Sequence, residues 1–594
     1  MNERMLERHV TKVYISIVLI LILTTFATAQ DVPLYRTFET TIINNNSYGN
    51  KFADVILNAT FTAPSSSRTV QFWGFYDGNG SGGQDGNVWK LRFLPDELGT
   101  WTYTYSWTDS TPGGAGSFNC IEAGAGKGVI KSYVNNPYWL AYNGTDPMMI
   151  NSYYVGQTHT HDLNWTATNV YDKLIAAGVN HIQFQGVPSC GSERNWISDT
   201  SHSFADHPSG WLMLRYLQDY HLDIWHRAED HLKYLDDRDV SFHFWSGVWH
   251  HGDQWYRYVC ARLAPMSGVA GWSYFFERWA DQGYLDGMKT YDPWEHLLGA
   301  QHLHDPVFNC PQCVDYTYGS VSYYGATWRD SVSFHSEGLR HYNETNKHIP
   351  FYMNETKLWR HEWNTADDEI LRCAWGMLTG NAHFNWSWTN TEPDGTAFRN
   401  AYEMFDSMAD EYMKYTYDII TSVPWHETVP SDGLISGSSG PTFCLADPGR
   451  CYIVYKQESG SLNLNLEAGT YTACWYNARA GLASKQEFTV EAAGGNVQFT
   501  TPYGGTECVL TVAEQPVNAP ELTVTLVSGN EIQLQWTDPN DDPQETGVIV
   551  QRKPYHGSNQ WHELVSLGQN ATDYTDTDSL HGNVTYTYRV GAYK

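Results

Sequence analysis

Two glutamates stand where apolar stretches end. Glu277 closes "VAGWSYFFE" and Glu355 closes "IPFYMNE", each after a run that reads as a buried strand. A carboxylate is costly to bury unless it is paired or used. Taken singly, such a residue is more often a helix cap or a salt-bridged rim residue. Taken together, two carboxyls about 5 Å apart suit retaining glycoside hydrolysis, in which one protonates the leaving oxygen and the other attacks the anomeric carbon. Mutual repulsion holds one proton on such a pair near neutral pH, as an acid–base partner requires.

Other strand-like runs end in side chains that suit a sugar. The candidate contacts are Tyr153 on the first run, Gln185 on the second, Trp249 and His250 after the third, His335 on the sixth, and Trp386 and Trp388 on the eighth. Aromatic faces stack on the apolar C–H faces of sugar rings. Aromatic residues make up 15% of the chain, which β-rich cores alone also explain.

These residues need a frame that gathers strand ends. From about residue 136 to 425, strand-like and helix-like segments alternate through eight units. "PMMINSYYV", "VNHIQFQGV", "VSFHFWSGVW" and "VAGWSYFFE" read as strands one to four. "HLLGAQHL", "DSVSFHS", "IPFYMNE" and "AHFNWSW" read as five to eight. Eight such units predict a (β/α)8 TIM barrel, whose reactive groups stand at the C-terminal strand ends. Residues 30–135 and 426–515 show short alternating strands broken by turn residues, and each predicts a β-sandwich. Residues 516–594 form a last all-β block. The fold class is therefore multidomain: a central barrel flanked by an N-terminal β-sandwich and C-terminal β-sandwich domains.

At 594 residues the chain is too long for one core. Arg4, Arg8 and Lys12 precede an apolar run ending in Ala27-Thr28-Ala29. Residues 1–29 thus predict a signal peptide, and the mature chain is expected to be secreted, periplasmic or at the cell surface, with no membrane partner after cleavage. The formal charge of −30 disfavours nucleic acid, because such a surface repels phosphate backbones. Ten cysteines in an exported chain permit disulfides: Cys444 with Cys451 across a hairpin, Cys474 with Cys508, and Cys310 with Cys313 as a small loop. A lone CxxC does not complete a zinc site. The glycine-rich "DGNGSGGQDGN", Asp77 to Asn87, lacks the terminal glutamate of a calcium loop and predicts turn chemistry. No motif implies a metal or cofactor, and the sequence says nothing of oligomeric state.

"RYVCARLAPMSGVAGWSYFFE" and "IPFYMNE" resemble the acid/base and nucleophile segments of clan A glycoside hydrolases, especially apiosidase-like barrels (DUF4038). "RFLPDELGTWTYTY" resembles the DUF5060 sandwich that often precedes such barrels. "FCLADPGRCYIVY…WYNARAG" looks like the collagen-binding-type sandwich that follows them, and the last block resembles a fibronectin type III domain lacking its final strand, as in a fragment. The resemblance implies Glu277 as general acid/base and Glu355 as nucleophile, acting on a plant- or algal-type polysaccharide or oligosaccharide. Two departures stand out. Phe276 occupies the place of an asparagine that contacts the 2-hydroxyl, and His335 aligns where strand six usually carries an aromatic hydroxyl.

Two rival readings remain at this level. "HTHD", His159 to Asp162, with His302 or His304 and His335, suggests a metal-dependent amidohydrolase-like barrel. A catalytically dead barrel between glycan-holding sandwiches would make a non-catalytic surface protein.

Overall fold

The computed structural model describes residues 30–65, 68–155, 163–185, 222–246, 252–274, 282–302, 316–320, 330–344, 349–355, 367–386, 408–514, 521–528, 531–537, 545–554, 562–577, 580 and 586–593. The predicted signal peptide lies outside them. Among the described residues no helix is long and apolar enough to cross a membrane.

The first unit stacks a five-stranded sheet on a three-stranded one. Alternation builds it. In Leu57–Thr62 every second residue, Leu57, Ala59 and Phe61, is buried. Across the two sheets Phe61 stacks on Phe93 at 4.0 Å and Phe38 on Phe118 at 4.2 Å. A three-stranded meander, Ile130–Ser132, Leu140–Tyr142 and Asp146–Met148, leads out of it. Asn143 and Gly144, at φ 52° and 75°, make the second turn of that meander. Asn-Gly is the pair that a two-residue turn with two positive φ angles demands.

Eight strands follow in strict sequence order, and every neighbouring pair is parallel. They are Ser152–Val155, His181–Gln185, Ser241–Ser246, Val269–Tyr274, Leu297–His302, Tyr316–Ser320, Phe351–Glu355 and His383–Phe384. A parallel bridge between Ser152 and Asn385, with the Trp386 amide donating to the Ser152 carbonyl at 3.1 Å, brings the eighth strand back beside the first. Helices Leu222–Asp236, Asp253–Leu263, Gln282–Tyr291, Ser331–Glu344, Asp367–Thr379 and Met408–Thr421 lie between or after the strands.

Strand six is Tyr316–Ser320, not "DSVSFHS", which belongs to the helix Ser331–Glu344. The segment misleads because its alternating Val, Ser and Phe fit both periods: Phe334 is fully buried on Phe384, whereas Ser333 is partly open. The helix Gln282–Tyr291 likewise stands between strands four and five, where the sequence reading placed none.

In the C-terminal seven-stranded sheet the strands Thr442–Asp447, Cys451–Lys456 and Cys508–Glu514 are buried on both faces. Cys444, Ala446, Tyr452 and Val454 enter one core. Phe443, Leu445, Cys451, Ile453 and Tyr455 enter another, continuous with the helices around the parallel sheet. Tyr455 stacks on Trp375 of the helix Asp367–Thr379, with centroids 5.9 Å apart. This explains why "CYIVY" is apolar throughout instead of alternating; these five residues and the following Lys456 are all buried. It also corrects the disulfide expectation. Cys444 pairs in register with Val454, and the two cysteines face opposite cores; Cys474 and Cys508 are divided in the same way. All four are free thiols. Cys310 and Cys313 lie outside the described residues. The last block holds two facing three-stranded sheets around Leu534, Trp536, Val548 and Val550.

Candidate active site

Strand seven carries Glu355 at its end. Phe351, at its start, stacks on His341 of the helix Ser331–Glu344 with centroids 4.3 Å apart, so that face of the strand looks outward to the helices. Simple alternation would assign positions 353 and 355 to the same outward face. The ladder to strand six does not alternate simply. Tyr318 pairs with Tyr352 and Gly319 with Met353, but Ser320 pairs with Glu355. One extra residue, Asn354, sits in the shift. Position 355 therefore takes the sheet parity of Tyr352 and not that of Phe351. Bulges of this kind are over-represented beside active sites, where they re-aim a residue. The Glu355 side chain lies outside the described residues, as does all of Glu277, which follows the end of strand four at Tyr274.

The inward face at the amino-terminal half of the sheet is polar. In "HIQFQ", His181 and Gln183 alternate with Ile182 and Phe184. His181 lies 2.7 Å from His243 (Nε2 to Nδ1), and Asn385 donates to Gln183 Oε1 at 2.8 Å. A chain of donors fixes the tautomers. Ser241 gives its hydroxyl proton to the Asn180 carbonyl at 3.0 Å, so it accepts from His181 Nδ1–H at 2.8 Å. His181 Nε2 is then the acceptor, and His243 donates through Nδ1. Burial pushes His181 down to about 3, helped by His383; burial alone does the same to His383; burial, helped by His181, carries His243 well below the usual histidine range. All three are neutral imidazoles at physiological pH.

His181, His243 and Asn385 were missed by sequence reasoning, which looked for function at strand ends. The signal was present in the alternation of His and Gln with Ile and Phe. Parallel sheets covered on both faces usually carry near-continuous apolar runs, and the amino end of this sheet does not.

Three predicted sugar contacts are placed elsewhere. Tyr153 pairs in register with Ile182, opposite in parity to the inward Ser152 and His181, and is buried in the main apolar core. Trp386 packs edge-on against Phe384, on the face that meets the helix residue Phe334. His335 is on a helix. Its ring stacks on Phe443 of the C-terminal sheet at 3.9 Å, and its Nε2 lies 2.7 Å from Asp432, in the 3-10 turn Asp432–Leu434. Each was assigned from a strand face or strand span that the register does not support. Gln185 pairs with Trp245 at the carboxyl end of strand two, in the parity of Gln183. Trp249, His250 and Trp388 lie outside the described residues, as do His159 and His161. Strand six carries Tyr316 and Tyr318, so tyrosine, not His335, stands at that strand.

Arg262, within the "ARL" run, is fully buried. It pairs with Glu229 of the preceding helix and, at 2.9 Å, with Asp77 of the glycine-rich loop. Arg92 of the first unit binds the same Glu229 through both guanidinium nitrogens at 2.9 Å. Burial would raise the Glu229 carboxyl, but Arg262 and Arg92 outweigh it and hold it at about 2. Asp77 is also held low, against burial, by His226, Arg262 and Lys90. Asp77 thus serves as a structural clasp between the first unit and the helices Leu222–Asp236 and Asp253–Leu263. Asn79 Oδ1 accepts from the amides of Ser81 and Gly83. Among the described residues no cluster of His, Cys, Asp and Glu could hold a metal ion.

Comparison with known proteins gives a consistent outline. Residues 31–108 match the family model of a domain of unknown function, DUF5060. No curated protein matches the sequence. A candidate glycoside hydrolase from Bacteroides vulgatus shares the fold at 16% identity, over 82% of this chain and all of its own, with a TM-score of 0.58. A family 5 glycoside hydrolase from the same organism matches at 13% identity over 66% of this chain and 93% of its own, with a TM-score of 0.50. The chain is a multidomain, sheet-rich protein whose first unit carries the DUF5060 match and whose fold is shared with proteins of glycoside hydrolase type.

Proposed function

We propose that the chain is a secreted, retaining glycoside hydrolase of clan A type, built on a (β/α)8 barrel and acting on a plant- or algal-type polysaccharide or oligosaccharide. The division is 30–135, 136–425, 426–515 and 516–594, behind a signal peptide at 1–29. Glu355 is the nucleophile and Glu277 the acid/base. The single observation that carries the reading is the register shift on strand seven, which gives position 355 the inward parity at the carboxyl end of a parallel sheet that returns upon itself. Glu277 follows the end of strand four, and strands four and seven lie across such a sheet from one another. The glycoside hydrolase descriptions of the two proteins that share the fold support the same class. A metal-dependent barrel has less support, because His335 is engaged by Asp432 and Phe443.

Glu355→Gln tests the reading. Turnover on a responsive polysaccharide should fall by roughly 10³-fold or more while glycan binding persists. Product stereochemistry, followed by NMR, should show retention. Unchanged turnover removes the assignment, and inversion refutes the paired mechanism.

A further inference from the structure

A cavity of about 250 Å³ lies on the seam between the first unit, the meander and the parallel-sheet unit. It is lined by Arg68, Val70 and Asp96 of the first unit, by Asn143 of the meander, and by Trp294. Trp294 stands in the connection from the helix Gln282–Tyr291 into strand five, at the amino ends of the strands. The cavity is therefore at the opposite end of the sheet from Glu355.

The charges in this cavity are matched before any ligand arrives. Arg68 grips Asp96 with both terminal nitrogens, one at 2.8 Å. The charge of Glu97 acts on the same guanidinium. Lys131 is engaged by the carbonyl of Trp294, at 2.8 Å, and by that of Glu295. Two cations thus meet two carboxylates, and the formal charge of −30 on the whole chain repels anions from a distance. An acidic ligand finds no attraction here.

Matched charges still have hydrogen-bonding capacity. A carboxylate offers lone pairs beyond the two that Arg68 occupies, and a guanidinium offers N–H groups beyond the two given to Asp96. The Arg68 and Asp96 side chains remain 45% and 30% exposed at the rim. Asn143 is exposed as well, and its side chain is held by the Val129 amide at 3.1 Å and by Tyr35. Donors and acceptors at fixed spacing thus line the same cavity as Trp294. That side chain is half-buried, pinned by its Nε1–H bond to the Leu94 carbonyl at 2.9 Å and by edge contact with Phe72.

Aromatic and aliphatic walls suit the C–H face of a sugar ring, and the Asn and Arg–Asp groups suit its hydroxyls. The volume falls just under the range of about 300–1,000 Å³ typical of drug-sized ligands, which suits one ring rather than a chain. We propose that this cavity binds a single uncharged sugar residue, the neutral end or branch of a glycan, as an accessory site separate from the candidate active site. The balance of charge selects against a carboxylate on the ring, and the preformed Arg68–Asp96 pair avoids the cost of ordering it on binding. The proposal does not depend on the chain being a hydrolase.

Calorimetric titration of the full chain with glucose, galactose and xylose in turn, at physiological salt, tests it. At least one should bind saturably in the millimolar range, with glucuronate and galacturonate at least tenfold weaker. Hydrogen exchange on the unmodified protein locates the site: the sugar that binds should protect residues 127–145 and 291–296. Asp96→Asn gives a readout that a merely structural role would not move. It removes a hydroxyl acceptor and leaves Arg68 unmatched, so the neutral sugar should weaken roughly tenfold and its preference over galacturonate should vanish. Absence of saturable binding by all three sugars, uronates bound as tightly, protection confined to other segments, or a preference unmoved by Asp96→Asn would each overturn the proposal.

Discussion

Asn354 is the residue that decides which way strand seven ends. Because it is absorbed in the shift between the Gly319 and Ser320 pairings, Glu355 meets Ser320 and not the position beyond it. The presence of a carboxylate at the end of an apolar strand was legible in the sequence; its parity was not, since a bulge leaves no mark in a run as short as "FYMNE". The inward histidines show the reverse case. Their alternation was plain, but a polar interior is not what parallel sheets lead one to expect. Their burial has a measurable cost. An unfolded chain protonates histidine below about pH 6.5, whereas His181 and His383 resist to about 3. Across that window the unfolded state binds more protons, so stability falls as pH drops below about 6.5, by up to about 1.4 kcal/mol per pH unit for each residue. Calorimetric melting from pH 7 to 5 should show the decline, and His383→Gln should flatten it. An unaltered slope in that variant would remove His383 from the account.

At the scale of elements, the helices before strands three and four matter as much as the strands. Arg262 and Glu229 lie on them, and with Arg92 and Asp77 they lock the first unit against the parallel sheet. Arg262 is enclosed, and nothing in "CARLAP" announces partners 33 and 185 residues away. Removing one partner from such a network leaves a buried charge unmatched. Glu229→Gln should cost about 3–5 kcal/mol in denaturant unfolding. Limited proteolysis should then cut between residues 108 and 150 faster than in the parent, and equal cutting with equal stability would show the lock to be dispensable. Strand six shows the limit of pattern reading: "DSVSFHS" met the strand template, and packing of Phe334 on Phe384 settled it as helix.

At the scale of the whole molecule, a multidomain, sheet-rich chain was legible from texture alone, because runs of short alternating strands give way to strand–helix segments and then return. What texture did not reveal is that the strands Thr442–Asp447, Cys451–Lys456 and Cys508–Glu514 of the C-terminal sheet are covered on both faces. Two consequences can be measured. In guanidinium without reductant, thiol titration should find at least seven reactive cysteines, the number free among the described residues. Fewer would mean that disulfides form after all. The terminal block keeps its own small core, so a chain ending at Glu514 should retain the main thermal transition unchanged. A chain ending at Trp425 should instead aggregate, because it bares the Trp375 face. A soluble, folded product of that shorter length would sink the argument.

The added residue on strand seven also bears on how relatives of this chain are to be compared. On the proposed assignment of Glu355, function there depends on a count: a relative lacking one residue before its glutamate could present it identically on a straight strand, and one with an equal-length strand but no bulge would turn it outward. An alignment by letters alone would score the second as the better match. Comparison by pairing partner, with Ser320 as the anchor, keeps such chains in their proper classes.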